Sequence, residues 1–220
     1  LPLHHMFGLG MGVFGVLNYA YPVFINQGIR NIARDFQLAK PQTIFAVPMI
    51  VESFYKQFRI LAKKSGGQAN PEMIRQFFGG RLQNIICGGA PLDPMYVEAF
   101  RNFGITVLNG YGITECSPVV AVNRNKDWRD GSVGRVLPGC TVKIAENGEI
   151  LIRGNNVMLG YYHNEEATKE ALEGGWFHTG DLGKIDEDGY FYITGRIKNL
   201  IITSSGENIS PEEMENQILH

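Results

Sequence analysis

The sequence predicts an α/β fold, in which a parallel sheet covered by helices is followed by a β-rich, barrel-like subdomain. Over residues 1–115, stretches with strand and helix character alternate with short connections, which implies parallel pairing. After residue 116, short apolar strands flank glycine-containing turns, a pattern typical of antiparallel hairpins. With 44% hydrophobic residues in 220, the chain can bury a core of ordinary size.

The first element is predicted from an uncharged stretch that begins at Met6 and ends at Ile25. It is long enough to span a bilayer, but its glycines together with Asn18 and Pro22 weaken a lipid-exposed helix. We interpret it as a buried helix followed by a buried strand. The glycine pattern over 10–15 would suit a dinucleotide only after a strand, and the preceding residues show no strand alternation.

The next elements alternate between helix and strand. Asn70 before Pro71 and Asp93 before Pro94 place a capping side chain ahead of a first-turn proline, which predicts helices that run to about residues 78 and 103. Apolar spacing predicts the rest of this half: helices over 29–38 and 50–63, and strands over 43–47, which Pro48 ends, 82–87 and 105–108.

In the second half, the sequence predicts two hairpins and two helix starts. Asn147 and Gly148 tolerate positive φ and suit the turn between strands over 141–144 and 149–153. A second hairpin is predicted over 182–193, with a solvated acidic turn at 186–189, and Asn164 precedes a short helix over 165–172. A capping box over 210–213 opens a further helix.

Composition limits the classes of function. The formal net charge of −2 and pI of about 6.2 provide no broad basic field to hold nucleic acid or an anionic membrane, so we expect no nucleic acid partner. The residue content of the uncharged stretch over 6–25 leads us to expect no transmembrane segment. Cys87, Cys116 and Cys140 form an odd set without metal-ligand spacing, which favours a reducing compartment. We expect a cytoplasmic protein.

Three segments carry candidate chemistry. Residues 109–115 follow a strand; there Tyr111 can accept a flat ring, Thr114 can donate to a phosphate and Glu115 can bind Mg²⁺, although a polar turn with a solvent-facing Glu is the alternative. A glycine loop over 88–92 follows another strand and precedes a capped helix. Asp181, in a glycine-rich turn, can accept hydrogen bonds from two ribose hydroxyls, and the hairpin can bring Arg196 to it; a structural salt bridge is the alternative.

Eight segments, spread over nearly the whole chain, carry a family resemblance: LPLHHMFG at 1–8, GGAPL at 88–92, NGYGITE at 109–115, GSVGRVLPG at 131–139, GEILIRG at 148–154, GY at 160–161, WFHTGD at 176–181 and GRIKNLIITSSGENISPEE at 195–213. Their order and wording resemble the adenylate-forming superfamily, which includes acyl- and aryl-CoA synthetases, luciferases and the adenylation domains of peptide synthetases. The opening and the last segment are most similar to fatty acyl-CoA synthetases.

The resemblance implies a role for each matched residue. His5 would lie at the mouth of the acyl pocket, Lys198 would be the hinge of a small C-terminal domain, and Glu115 would bind the metal. The residues implied to contact the nucleotide or the acyl group are Gly88, Gly89, Ala90, Asn109, Tyr111, Gly112, Thr114, Asp181 and Arg196. Gly206, with Glu207 and Asn208, would shape the tunnel for coenzyme A.

The resemblance also implies an activity and a domain division. A fatty or other carboxylic acid would react with ATP, assisted by Mg²⁺, to an acyl-adenylate, and coenzyme A would then take the acyl group. Residues 1–115 would be the α/β portion, 116–195 the β-rich subdomain, and 196–220 the hinge and start of the small domain. Alternatives are adenylation of an aryl, amino or hydroxy acid for a carrier protein, and a nucleotide-binding module without catalysis.

The chain begins without Met and ends within a helix-like segment, so we expect a central piece of a longer protein. The family's phosphate loop should precede Leu1, and no Lys follows Lys198 to match the family's catalytic lysine. The 220 residues by themselves are therefore predicted not to catalyse adenylation.

Overall fold

Contacts within the computed structural model divide the chain into two units. Unit 1 comprises Leu1–Gly110 and Arg124–Gly131, and unit 2 comprises Tyr111–Asn123 and Ser132–His220. The structure describes residues 1–64, 67, 70–199, 201–202, 208–209 and 211. The expected boundaries at 115 and 195 remain a prediction.

Unit 1 is built on three parallel strands with helices between them. Strand β2 lies between β1 and β3, with Ile44 opposite Ile85 and Ile85 opposite Val107. This confirms the predicted α/β class for the first half. In chain order the elements are a π-helix (Phe7–Gly15), α1 (Val16–Asn18), a 3-10 turn (Ile29–Asn31), α2 (Ile32–Ala39), β1 (Thr43–Ala46), α3 (Pro48–Lys64), α4 (Pro71–Phe77), β2 (Asn84–Cys87), α5 (Pro94–Asn102) and β3 (Thr106–Gly112), whose last two residues belong to unit 2.

The predicted caps of α4 and α5 are confirmed. The side chain of Asn70 accepts a hydrogen bond from the Glu72 amide at 2.9 Å, and that of Asp93 accepts one from the Met95 amide at 2.8 Å. Each bond satisfies an amide that the helix cannot pair internally. Pro48 does not merely end β1, as the sequence suggested, but is the first residue of α3, where its missing N–H costs nothing.

The core of unit 1 is dominated by phenylalanine rings. Phe58 and Phe78 are almost completely buried, and their centroids lie 5.7 Å apart in an edge-to-face arrangement. Each such pair stabilises a fold by about 1 kcal/mol beyond the effect of burying its apolar area. The rings that form this phenylalanine cluster are Phe36, Phe54, Phe58, Phe77, Phe78, Phe100 and Phe103.

The prediction for the stretch from Met6 to Ile25 was right about a helix but wrong about its burial and about the strand that follows. A π-helix is followed by one α-helical turn, and the residues after Asn18 form no strand. Tyr19 is 73% exposed and Phe24 54% exposed. Apolar composition alone does not dictate burial, and Pro22 lacks the amide that a strand needs. Within the described residues, the structure contains no helix with the length and apolar character needed to cross a membrane.

Unit 2 is built on an antiparallel meander in which β6, β7, β8 and β9 are neighbours in order. Both predicted hairpins are confirmed, and Gly148 has the positive φ of +84° that the first turn requires. The elements after β3 are a 3-10 turn (Thr114–Cys116), β4 (Val119–Val122), β5 (Arg135–Val136), β6 (Cys140–Ile144), β7 (Glu149–Gly154), α6 (Glu165–Ala171), a 3-10 turn (Glu173–Gly175), β8 (Phe177–Ile185), β9 (Phe191–Arg196), a 3-10 turn (Ile197–Asn199), β10 (Ile201–Ile202) and β11 (Asn208–Ile209).

Two predicted loops are strands. Residues 109–112 continue β3, and Thr179, Gly180 and Asp181 lie within β8 rather than in a glycine-rich turn. Glycine composition suggested turns, but both segments lie within strands. Around Asp181 the pairing of β8 with β7 and with β9 is shifted in register, and Gly180 has a φ of +69°, which favours glycine there. The predicted capping box at 210–213 falls mostly outside the described residues.

Candidate functional site

A buried carboxylate in unit 2 joins two strands of the meander. Asp181 on β8 and Arg196 on β9 are register partners, and Arg196 Nε lies 2.8 Å from Asp181 Oδ1. The aspartate is only 4% exposed, whereas the arginine side chain is 64% exposed. The hairpin therefore brings together the two residues that the sequence predicted to meet, with one end of the pair open to solvent.

Tyr111 reaches the same carboxylate from β3. Its hydroxyl donates to Asp181 Oδ2 at 2.6 Å, and its ring packs edge-to-face against Phe191 at a centroid distance of 5.6 Å. Burial raises the pKa of Tyr111 far above its usual value, and the negative charge of Asp181 raises it further. The phenol therefore stays a proton donor to Asp181.

Glu149 and His178 support the backbone beside Asp181. Glu149 Oε1 accepts from the Gly180 amide at 2.9 Å, while its Oε2 lies 3.1 Å from His178 Nδ1. Thr179 Oγ1 accepts from the Asp181 amide at 3.0 Å. Sequence reasoning missed Glu149 and His178; a charged residue opening an otherwise apolar strand was the available signal.

Glu115 lies in the 3-10 turn that follows β3. Its hydrogen-bond partners differ from those of Asp181. The Tyr161 hydroxyl donates to Glu115 Oε1 at 3.0 Å, and the Met158 amide donates to the Glu115 carbonyl at 2.7 Å. Thr114 precedes it and is exposed. The described contacts thus unite Tyr111, Asp181 and Arg196, whereas Glu115 pairs with Tyr161, a residue that the sequence matched to a family segment but to which it gave no role.

The small number of possible metal ligands near Glu115 limits which metal ion could bind there. Among the residues that the structure describes, no three His, Cys, Asp or Glu side chains gather closely enough to hold a metal ion. Mg²⁺ needs few protein ligands when substrate phosphates and water complete its shell. The half-buried Glu115 carboxylate, with one oxygen bonded to Tyr161, fits that mode of binding.

The predicted site residues at the start of the chain and in the glycine loop over 88–92 lie in unit 1. His5 is exposed, and its Nδ1 accepts from the Phe7 amide at 3.1 Å. Gly88 is buried: a Cβ there would lie 3.2 Å from the Gly110 carbonyl and 3.6 Å from the Phe7 ring. Gly89 has a φ of +88°, and Ala90 beside it is exposed.

Asn109, at the carboxyl-terminal part of β3, carries an unpaired polar atom. Its Oδ1 is buried and has no hydrogen-bond partner among the described residues. A buried acceptor without a partner costs free energy, which a donor on a ligand would recover. The atom is therefore consistent with the adenine contact that the resemblance implies.

The structure describes Gly112 and Lys198 among the remaining predicted site residues, but not all of the segment over 206–208. A Cβ at Gly112 would overlap the Pro118 carbonyl oxygen, so close backbone packing explains this glycine. Lys198 is exposed in the 3-10 turn after β9. Gly206 and Glu207 lie outside the described residues, and only the backbone of Asn208 is described.

The cysteines are poor candidates for covalent catalysis. All three are free, and burial raises the pKa of both Cys87 and Cys116 to about 12. Because the thiolate is the nucleophile, protonated buried thiols are inert near neutral pH.

Comparison with known proteins identifies relatives along the whole chain. A family of AMP-binding enzymes matches residues 1–162. The long-chain-fatty-acid–CoA ligase FadD15 of Mycobacterium bovis is 32% identical over 99% of this chain and 42% of its own length. The 2-succinylbenzoate–CoA ligase of Listeria innocua is 33% identical over 99% of this chain and 44% of its own. The chain therefore spans less than half the length of these relatives.

Solved structures agree with the fold. The o-succinylbenzoate CoA synthetase MenE of Bacillus subtilis, in complex with an acyl-adenylate intermediate, is 28% identical with a TM-score of 0.80, covering 100% of this chain and 44% of that one. The same enzyme with ATP and a magnesium ion gives 29% identity and a TM-score of 0.76, covering 100% and 45%. The chain belongs to the adenylate-forming family of AMP-binding enzymes, among relatives that are CoA ligases.

Proposed function

We propose that the protein uses ATP to activate a carboxylic acid as an acyl-adenylate and transfers the acyl group to coenzyme A, with release of pyrophosphate and AMP. One observation carries this proposal: a buried aspartate, Asp181, whose two oxygens are held by Tyr111 and Arg196 from two other strands. Such a carboxylate is suited to binding the two hydroxyls of a ribose.

The hydrogen-bonding capacity of Asp181 supports the ribose role. An ionised carboxylate offers about four acceptor sites on two oxygens. Tyr111 takes one site on Oδ2 and Arg196 one on Oδ1, which leaves one on each oxygen for neighbouring hydroxyls. The Arg196 side chain is 64% exposed, so the pair opens to solvent on the arginine side, while the Asp181 side chain itself is 5% exposed.

Thr114 and Glu115 would bind the phosphates of ATP, Thr114 directly and Glu115 through the metal ion. Thr114 exposes a hydroxyl that can donate to a phosphate oxygen, and Glu115 would hold Mg²⁺. When bound, the metal neutralises part of the polyphosphate charge. Because Tyr161 already fixes one oxygen of Glu115, the carboxylate is partly ordered before the nucleotide arrives.

The chemistry would consist of two displacements. An oxygen of the substrate carboxylate attacks the α-phosphorus of ATP, and the bond to pyrophosphate breaks. The sulfur of coenzyme A then attacks the acyl carbon, and AMP leaves with the bonding electrons. Both steps depend on alignment, which Asp181, Tyr111 and Arg196 would provide by fixing the adenylate. They also depend on stabilising negative charge, for which the metal held by Glu115 would be suited.

We propose a fatty acid as the substrate class, because the opening and closing motifs are most similar to fatty acyl-CoA synthetases and because one relative is a long-chain-fatty-acid–CoA ligase. An aromatic acid is the second candidate. It is favoured by the 2-succinylbenzoate–CoA ligase relative, whose sequence identity to this chain is similar.

The test is ATP–pyrophosphate exchange by the protein in its natural length, with a series of fatty acids and a series of aryl acids, followed by thioester formation with coenzyme A. Exchange that depends on a fatty acid supports the proposal. Exchange with aryl acids alone would favour the second candidate. Binding of AMP without exchange for any acid would contradict both and indicate a non-catalytic nucleotide-binding module.

A further inference from the structure

The segment over residues 154–161, here called the clamp segment, holds the Glu115 turn at three points within unit 2. The Asn156 side-chain amide donates to the Cys116 carbonyl at 3.2 Å. The Met158 amide donates to the Glu115 carbonyl at 2.7 Å, and the Tyr161 hydroxyl donates to Glu115 Oε1 at 3.0 Å. The clamp segment therefore fixes both the backbone and the carboxylate of Glu115.

Tyr161 is itself anchored to the start of α6. Its amide donates to Thr168 Oγ1 at 2.9 Å, and the Thr168 hydroxyl donates in turn to the Asn164 carbonyl at 2.7 Å. At Gly160, a Cβ would lie 2.7 Å from Thr168 Cγ2, so only glycine permits this close approach. The backbone of Tyr161 is thus held in place beside α6.

We propose that Tyr161 is a positioning residue for the metal-binding carboxylate. Its hydroxyl donates to Glu115 Oε1, and the other oxygen, Oε2, would be the one to bind the metal of Mg–ATP. This inference rests on the proposed function. A glutamate without such a partner must lose side-chain entropy when it binds the metal, and partners of metal ligands typically change metal affinity by about 10–100-fold. Because Tyr161 is 38% exposed, the lower end of that range applies.

The chain provides a matched control for removal of the hydroxyl. Tyr162 follows directly in sequence and is 91% exposed, with its ring against His163. Tyr161→Phe and Tyr162→Phe delete the same atom from neighbouring residues, and neither change should prevent folding. The two variants and the wild type are compared in the protein's natural length by two binding measurements: AMP affinity without Mg²⁺, and the Mg²⁺ concentration that gives half-maximal ATP binding.

For Tyr161→Phe we expect the Mg²⁺ midpoint to rise about tenfold while AMP affinity changes by less than about twofold. Tyr162→Phe should match the wild type in both measurements. In a Glu115→Gln background, Tyr161→Phe should add no further shift, because the oxygen that it positions has already lost its charge.

Three results would overturn the inference. An unchanged Mg²⁺ midpoint in Tyr161→Phe would show that the hydroxyl does not position the carboxylate. An equal loss of AMP and Mg–ATP binding would indicate a purely structural role. Failure of the wild type to bind either nucleotide would overturn the proposed function, and this inference with it; the first two results leave the proposed function intact.

Discussion

The two units differ in how they accommodate a buried carboxylate. In unit 1, Asp35 accepts a hydrogen bond from the Gln27 amide, eight residues away, and from its neighbour Arg34. In unit 2, Asp181 is bonded to Tyr111, 70 residues away, and to Arg196 on the adjacent strand. A buried charge is costly without partners, and both units supply them. The partners are local in unit 1 and come from distant strands in unit 2.

This difference in partners indicates that the Asp35 carboxylate stabilises the fold, whereas the Asp181 carboxylate is suited to bind a ligand. The local partners of Asp35 fix one stretch of chain beside α2, within a unit whose core is the phenylalanine cluster. The distant partners of Asp181 make three strands converge on one polar point. We therefore expect the largest losses of stability from core substitutions in unit 1, and the largest losses of nucleotide binding from substitutions in unit 2.

The largest effect is expected in the phenylalanine cluster. Phe58 is 1% exposed and contacts several rings of the cluster, so Phe58→Ala should lower the free energy of unfolding of unit 1 by about 4 kcal/mol. Urea unfolding can be followed by the fluorescence of Trp128, which lies in unit 1, in a Trp176→Phe background.

The control is Phe14→Ala, because Phe14 is 61% exposed and its loss should cost only about 0.5 kcal/mol. Equal destabilisation by the two substitutions would contradict the view that the aromatic core stabilises unit 1.

Local chemistry explains what the sequence predicted well. The caps at Asn70 and Asp93 and the turn at Gly148 each depend on a few neighbouring residues, so their side chains are sufficient to predict them. The meeting of Asp181 and Arg196 also followed from a single hairpin. The contact of Tyr111 with Asp181 was predicted only as a shared ligand, because its direct hydrogen bond requires β3 and β8 to be placed exactly.

Long-range packing explains what the sequence did not predict. Tyr161 lies 46 residues from Glu115, and Glu149 lies 31 residues from Gly180, so neither contact has a local signal. The prediction of a buried strand after Asn18 failed for the opposite reason. Its apolar residues suggested burial, but burial depends on a covering surface that composition does not reveal.

The second prediction addresses Asp181 directly. Asp181→Asn keeps the shape of the side chain but removes its charge and one acceptor oxygen, so AMP affinity should fall about 30-fold, equivalent to about 2 kcal/mol. Glu187→Gln is the matched control, since it removes one negative charge from the exposed tip of the same hairpin. Calorimetric titration with AMP measures both. A similar affinity in the two variants would argue that Asp181 forms only a structural ion pair.

The third prediction concerns the support beneath Asp181. Glu149→Gln leaves one acceptor where the Gly180 amide and His178 now use two carboxylate oxygens. We expect AMP affinity to fall about fivefold, equivalent to about 1 kcal/mol, because the backbone beside Asp181 is held less firmly. Glu146→Gln, in the exposed turn before β7, should leave the affinity unchanged. A fivefold loss in that control too would mean that net charge, rather than the support, sets the affinity.

The last prediction compares the matched helix caps of the two units. Asn70 caps α4 in unit 1 and Asn164 caps α6 in unit 2, each through its side-chain oxygen. Replacing either by Ala should lower the stability of its own unit by about 1 kcal/mol, measured by Trp128 fluorescence for unit 1 and Trp176 fluorescence for unit 2.

Their effects on nucleotide binding should nevertheless differ. Asn164 lies at the end of α6 where Thr168 anchors Tyr161, so loosening this turn should also raise the Mg²⁺ midpoint for ATP binding. The rise should be about threefold, less than for loss of the Tyr161 hydroxyl itself, because the Tyr161–Glu115 bond can still form. Asn70→Ala should leave the midpoint unchanged, since α4 contributes nothing to the clamp segment's hydrogen bonds described above. An equal shift in the two cap variants would mean that global stability, rather than the clamp segment, controls the carboxylate.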